Sequence, residues 1–335
     1  MNRINNYSYI TECQVFLTRR CNLNCGYCNL TKKPLPRELK TSEWKEAFSR
    51  MEMLGIQSVK LLGGEPTILE DLEELITFIC KKTKLKFALL SNSLFGDERI
   101  LSLVNAGLQG YFASIDSLSS LNFFDENGEK KSNAGYRVLL RMKELGVPVL
   151  GANVVITPQN LQELPELVLR LSDDGIWVNL CPIIFSTSNS SLDWQFRTYV
   201  KEEARFSTNN KNAIDAVMQK LIDIKKGGGK ISVPESYIRD MSKYAINCDW
   251  KCTYPVQLRV DADGALMLCG DLRGEVAKKY NLLSINEETY RSFINDWLTE
   301  RKEIVCPGCY WSCYLGAQYN IQQSQNEFFY GTKPV

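Results

Sequence analysis

The chain has 335 residues, of which 44% are hydrophobic, 10% aromatic and 24% charged, the composition of a globular protein of about two domains and not of a disordered or collagen-like chain. Forty basic against 39 acidic side chains leave a net charge of +1, so no global field draws it to nucleic acid or an anionic membrane, and neither partner is expected. Histidine is absent and cysteine occurs twelve times. The first count excludes Ser-His-Asp and Cys-His catalysis, HExxH peptidases and zinc deaminases. Residues 1–9 lack an apolar signal segment, and no run approaches the ~20 apolar residues of a membrane span. A reducing cytoplasmic setting is therefore expected, in which the cysteines read as metal or redox ligands.

Short β-rich runs at 14–18, 58–62, 85–90, 111–115, 149–156 and 177–183 alternate with helical stretches, which predicts an α/β parallel sheet with crossover helices and all strand C-termini on one rim. Thr41 or Ser42 is expected to cap the first helix, with Trp44, Phe48, Met51 and Leu54 on its apolar face and Gly55 at its end. Further helices are predicted at 69–82, 98–106, 136–145 and 161–172. Residues 185–210 are polar and Ser/Asn-rich, the composition of a surface loop. A helix at 212–225 runs into Gly227-Gly228-Gly229, expected as a linker between domains at 10–226 and 230–335. Beyond it, 257–260 and 265–269 flank Asp261-Ala262-Asp263-Gly264 as a hairpin, followed by a helix at 287–298.

Cys21-Asn22-Leu23-Asn24-Cys25-Gly26-Tyr27-Cys28 places three thiols within one loop after the first strand. Three thiolates hold three irons of a [4Fe–4S] cluster and leave the fourth iron open to something other than protein. A zinc site needs a fourth ligand, and redox thiols need a thioredoxin-like helix.

This CxxxCxΦC pattern, with Tyr27 as its aromatic residue, resembles the signature of the radical S-adenosylmethionine (SAM) superfamily, carried after the first strand of a partial (β/α)6 barrel. Gly63-Gly64-Glu65-Pro66, after the second strand, is similar to that family's GGEP motif, which binds the SAM amino group. Glycines permit close backbone approach there, and a carboxylate accepts from an ammonium. The resemblance implies further SAM contacts at Ser91 and Asn92, where Ser93 replaces the family's glycine, and at Ser114, Asp116 and Asn153. Each also reads as a strand-end residue bonding its own backbone. Lys130, Lys131 and Arg137 are the candidate cations for the SAM carboxylate.

Cys252, Gly264 and Cys269, followed by Cys306 and Cys309, resemble the SPASM/twitch extension of the same superfamily. That likeness implies an auxiliary [4Fe–4S] cluster on Cys252, Cys269, Cys306 and Cys309, with Cys248 and Cys313 as alternative members and structural zinc as the plain alternative. Cys13 and Cys80 are expected in the core. Cys181, near the rim of the sixth strand, is a hydrogen-atom donor or a packing residue. Asp271 resembles a base found beside the matching cysteine in sulfatase-maturing relatives, although Gly270 intervenes.

The resemblance implies reductive cleavage of SAM to a 5′-deoxyadenosyl radical, with flavodoxin or ferredoxin as reductant. The radical would take hydrogen from a peptide, as in ribosomal peptide maturation, or from a small molecule, with the auxiliary cluster assisting oxidation or cross-linking. Sugar epimerisation or dehydrogenation, glycyl-radical activation and a non-catalytic cysteine-rich metal module are the competing readings. The GGEP sequence and the six-unit α/β pattern speak against the last.

Overall fold

In a computed structural model that describes residues 10–32, 37–118, 126–185, 205–252, 255–269, 272–304, 306 and 308–315, all six β-rich runs become parallel neighbours. They are β1 (Glu12–Thr18), β2 (Ser58–Gly63), β3 (Lys86–Ser91), β4 (Gly110–Ser114), β5 (Val149–Ile156) and β6 (Trp177–Pro182). The crossovers are α1 (Thr41–Met53), α2 (Leu72–Lys82), α3 (Asp97–Asn105), α4 (Glu126–Glu144) and α5 (Leu164–Asp173). Then come α6 (Lys211–Lys226), α7 (Glu235–Arg239), α8 (Met241–Ala245), a hairpin of β7 (Leu258–Val260) and β8 (Leu266–Met267), α9 (Glu275–Lys279) and α10 (Glu287–Glu303). The sheet order is β6-β5-β4-β3-β2-β1-β7-β8, an open parallel barrel whose β1 edge the hairpin extends. β7 runs parallel to β1 and β8 antiparallel to β7.

Alternation sets the two faces. Val15, Val59, Leu61, Leu89, Tyr111 and Ala113 are fully buried beneath the helices, while Gln14, Lys60, Leu62, Leu90, Phe112 and Ser114 line the concave side. On the helix side α1 contributes Trp44, Phe48 and Met51, each at most 1% exposed. Such side chains contribute roughly 1.5–3 kcal/mol apiece by burial.

Several local expectations change. The N-cap of α1 is Lys40, whose N–H donates to Glu43 at 2.8 Å, and the Thr41 hydroxyl donates to Asp71 instead of capping. Helix α4 begins ten residues before the predicted 136, because Lys131 and Ser132 dock into the barrel. The three glycines are tied back to α6. Their N–H groups return to the carbonyls of Asp223, Lys225 and Ile224 at 2.9, 3.1 and 2.9 Å, with Gly228 at φ +97°, and so they close α6. Val178 on the outer edge of β6 then donates to Lys230 and accepts from Ser232. Of the polar stretch 185–210, residues 186–204 lie outside the described residues; Phe185 and Phe206 at its ends are buried. Tyr237 of α7 stacks on Tyr310 with centroids 4.7 Å apart, which seats residues 308–315 against the barrel mouth. Among the described residues no helix is long and apolar enough to cross a membrane.

Candidate active site

Pairing between β1 and β2 continues past their ends and builds the rim. Gly64 N–H donates to Thr18 O and Glu65 N–H to Arg20 O, both at 2.8 Å. A Cβ on Gly63 would lie 2.2 Å from Thr18 O, and one on Gly64 would lie 2.1 Å from Arg20 O. The close approach that requires these glycines is thus to the cysteine loop's own backbone, whereas the sequence suggested a ligand. Glu65 is 1% exposed. Its Oε1 accepts from Thr67 N (3.0 Å), Thr67 Oγ1 (2.6 Å) and Ser91 Oγ (2.8 Å), and its Oε2 accepts from Asn92 N (2.7 Å). Burial raises its pKa from the ordinary value, against those hydrogen bonds. The carboxylate therefore ties β2 to β3 and shapes the motif, a role the sequence did not suggest.

Cys21, Cys25 and Cys28 are half-buried and line one cavity of about 320 Å³ with Gly63, Gly64, Glu65, Ser91 and Asn92. Leu23 N–H points at Cys21 Sγ from 3.4 Å, and Asn92 Nδ2 donates to Asn22 Oδ1 at 2.7 Å. Burial raises the Cys21 pKa, and the nearby Glu65 and Cys28 charges raise it further. Three thiols on one wall, with a peptide N–H aimed at a sulfur, are the donor set that fits a [4Fe–4S] cluster with one open iron.

Tyr27 is held from the opposite wall. Its hydroxyl donates to Asp116 Oδ2 at 3.3 Å and accepts from Lys131, whose ammonium lies 4.8 Å from the ring centroid. Lys131 and Asp116 form an ion pair at 2.6 Å with both side chains 4% exposed. Asp116 Oδ1 also accepts from Val155 N–H at 3.0 Å. Asp116, expected as a SAM contact, is thus the counter-ion of Lys131 and a strand tie. Of the three candidate cations, Lys131 lines the cavity; Lys130 is exposed, and Arg137 bonds Asp97 and the Phe95 carbonyl on the surface.

Two polar rows cross the cavity floor at fixed register. Ser114, Asn153 and Asn179 align across β4, β5 and β6, with Asn179 Nδ2 donating to Asn153 Oδ1 at 2.9 Å. Lys60, Gln14 and Arg259 align across β2, β1 and β7. Sequence reasoning passed over Gln14, Lys60, Asn179 and Arg259. Their signal was a single polar residue inside an apolar strand.

The C-terminal segment supplies the remaining wall through Trp311, Ser312 and Cys313. Cys181 Sγ lies 3.0 Å from Ser312 Oγ, and burial pushes its thiol up to about 12, so it stays protonated near neutral pH. Cys313 faces this cavity, with Arg259 Nη2 3.7 Å from its sulfur. Cys248 is 2% exposed and donates to the Ile183 carbonyl at 3.5 Å, as a core residue does. Cys309 N–H donates to Trp250 O at 2.7 Å, which brings Cys309 beside the segment carrying Cys252. Burial raises the Cys252 pKa, and Cys306 raises it further. Cys269 Sγ accepts from Leu272 N–H at 3.2 Å. The buried Tyr314 hydroxyl donates to the Leu268 carbonyl at 2.7 Å, beside the strand end that carries Cys269. Asp271 lies outside the described residues. Cys13 is buried, and Cys80 donates to the Gly107 carbonyl at 3.1 Å.

A thiol triad at the mouth of an open parallel barrel, facing a buried cation and a row of amides, defines an enzyme class built around a cluster with an open iron. Residues 15–171 match the radical SAM superfamily. GTP 3′,8-cyclase from Aquifex aeolicus is 31% identical over 293 residues, covering 79% of this chain and 85% of that protein. PqqA peptide cyclase from Bradyrhizobium diazoefficiens is 33% identical over 162 residues, 45% of this chain and 40% of that one. Streptococcus suis SuiB bound to S-adenosylmethionine superposes with a TM-score of 0.62 at 15% identity, over 95% of this chain and 75% of SuiB. SuiB bound to precursor peptide SuiA gives 0.59 at 15%, over 87% and 65%. The chain belongs to the radical SAM superfamily, and that membership implies SAM and a [4Fe–4S] cluster as its cofactors.

Proposed function

We propose that this enzyme oxidises or cross-links a peptide, with Cys252, Cys269, Cys306 and Cys309 holding an auxiliary [4Fe–4S] cluster in a C-terminal unit at 230–335. When bound, SAM and the triad's cluster supply, after one electron from a flavodoxin or ferredoxin, a 5′-deoxyadenosyl radical able to take hydrogen from an unactivated C–H bond. The chain's own residues orient and shield. Lys131 would take the SAM carboxylate, the backbone of Gly63, Gly64, Glu65 and Pro66 its amino group, and Ser91, Asn92, Ser114 and Asn153 the remainder. Phe112, Ile183, Ile184 and Trp311 line the cavity and would exclude water once it is filled.

The observation that carries this reading is that one cavity joins the triad to Trp311, Ser312 and Cys313 of the extension. A substrate held there touches both halves of the chain. Apolar side chains interleaved with Gln14, Asn153 and Asn179 suit a peptide, whose backbone needs amide partners in a dry site. The names of PqqA peptide cyclase and of SuiB bound to its precursor peptide support the same class. A nucleotide is the second reading, favoured by the GTP 3′,8-cyclase relative and by Lys60 and Arg259 on the cavity floor.

Reconstituted enzyme with SAM and dithionite should leave GTP unchanged and modify a short peptide encoded beside its gene. A cyclised GTP product would establish the second reading instead. In D2O the product carbon should carry no deuterium, because an electron leaves and no hydrogen returns. Deuterium that disappears in Cys181→Ala, with 5′-deoxyadenosine formation intact, would show hydrogen return from that thiol and would point to epimerisation.

A further inference from the structure

Residues 18–20 form a joint, gripped on one side by Glu38, whose carboxylate accepts from Thr18 Oγ1 (2.7 Å), Arg19 N–H (2.9 Å) and Arg20 Nε (3.2 Å). The carbonyls of Thr18 and Arg20 receive the N–H groups of Gly64 and Glu65, and the next residue is Cys21. Arg19, 6% exposed, sends its side chain the other way, to Asp261 in the β7–β8 turn, with Nε 3.1 Å from Oδ1 and Nη2 2.5 Å from Oδ2. Asp261 is fully buried and also accepts from Ala262 N–H at 2.8 Å and from Arg273. Arg273 in turn holds Asp263, with Nη2 2.5 Å from Oδ2. Among the described residues two guanidiniums thus meet two carboxylates. Arg273 directly follows Leu272, whose N–H donates to Cys269 Sγ.

A two-pronged guanidinium–carboxylate pair fixes direction as well as distance. Because the charges are desolvated, removing one partner leaves another buried without compensation. A tilt of residues 18–20 would shift Cys21 and the Gly63-Gly64-Glu65-Pro66 backbone together, since both hang on the same short segment.

We infer that Asp261 is a positioning residue for the SAM site: from the extension it holds Arg19, aligns the cysteine triad with the SAM-binding backbone, and through Arg273 ties that alignment to the loop of Cys269. The last part rests on reading Cys269 as an auxiliary-cluster ligand, because an empty ligand loop would leave Arg273 less firmly placed. The coupling runs both ways, so occupancy of the extension should tighten SAM binding.

The test measures SAM affinity of reconstituted protein by equilibrium dialysis without reductant, and hydrogen exchange of residues 19–28 in metal-free protein. Asp261→Asn should weaken SAM binding about tenfold, the scale on which partners behind a metal site act, and should speed exchange in that loop. Cys269→Ala should also weaken SAM binding, and the double variant should bind no more weakly than Asp261→Asn alone. Iron content separates the two readings: Cys269→Ala with undiminished iron removes the auxiliary ligand assignment and leaves the Asp261→Asn result standing. If Asp261→Asn does not accumulate as folded protein, Arg19→Lys keeps the charge but loses the two-pronged grip, and several-fold weaker SAM binding is expected. SAM affinity and loop exchange equal to wild type in either variant, even with a lower melting temperature, would overturn the inference. So would single effects that multiply in the double variant.

Discussion

Lys131→Met should reduce SAM affinity by more than tenfold while the triad still takes up iron. Lys131 lies in the cavity beside Tyr27 with its ammonium 2.6 Å from Asp116. A cation that is already desolvated meets a ligand carboxylate without a large reorganisation cost, so its loss is felt mainly in binding. Methionine keeps an unbranched stem and removes the charge together with the hydrogen bond to the Tyr27 hydroxyl. The same change strands Asp116 as a buried anion, which costs about 3 kcal/mol of folding stability. Asp116→Asn should lose similar stability and less SAM affinity, because the cation survives. Isothermal titration with SAM and thermal unfolding, run on both variants, separate the two effects. Equal SAM affinity in Lys131→Met and wild type would remove Lys131 from the SAM site.

The second large effect is in metal content. Anaerobically reconstituted protein should carry about eight irons, four per cluster, without stoichiometric zinc. Changing Cys252, Cys269, Cys306 and Cys309 to Ala should leave about four irons. The same loss is not expected for Cys248→Ala, since that thiol is packed against the Ile183 carbonyl. Iron near four in the wild type, unchanged by the fourfold substitution, would remove the auxiliary cluster. Zinc in its place would make the extension a structural module.

The six strands were legible because each is a short apolar run bounded by turn residues, and the triad because its cysteines are contiguous in sequence. Contacts made across the barrel were not. Lys60 and Arg259 become cavity residues only once the registers with Gln14 are known, and a lone charge in a strand carries no sign of the face it takes. The first ten residues of α4 have no apolar stripe; they are helical because Lys131 and Ser132 are bonded to Asp116. Asp116 and Glu65 also bond within the protein, to Lys131 and Val155 N–H and to Thr67, Ser91 and Asn92, since a carboxylate at a strand end serves its neighbours' N–H groups as readily as a ligand. Gly227-Gly228-Gly229 reads as a flexible tether in the sequence and bonds back to α6 in the structure, because glycine suits the end of a helix as well as a tether. The link from Arg19 to Asp261 spans 242 positions and has no local signature.

The most direct measurement is 5′-deoxyadenosine formed from SAM under dithionite, by reconstituted wild type and by the protein with Cys21, Cys25 and Cys28 all changed to Ala. Wild type should form it, and the triple variant should form none while keeping the spectrum expected of the proposed auxiliary cluster. Continued 5′-deoxyadenosine formation by the triple variant would contradict the account.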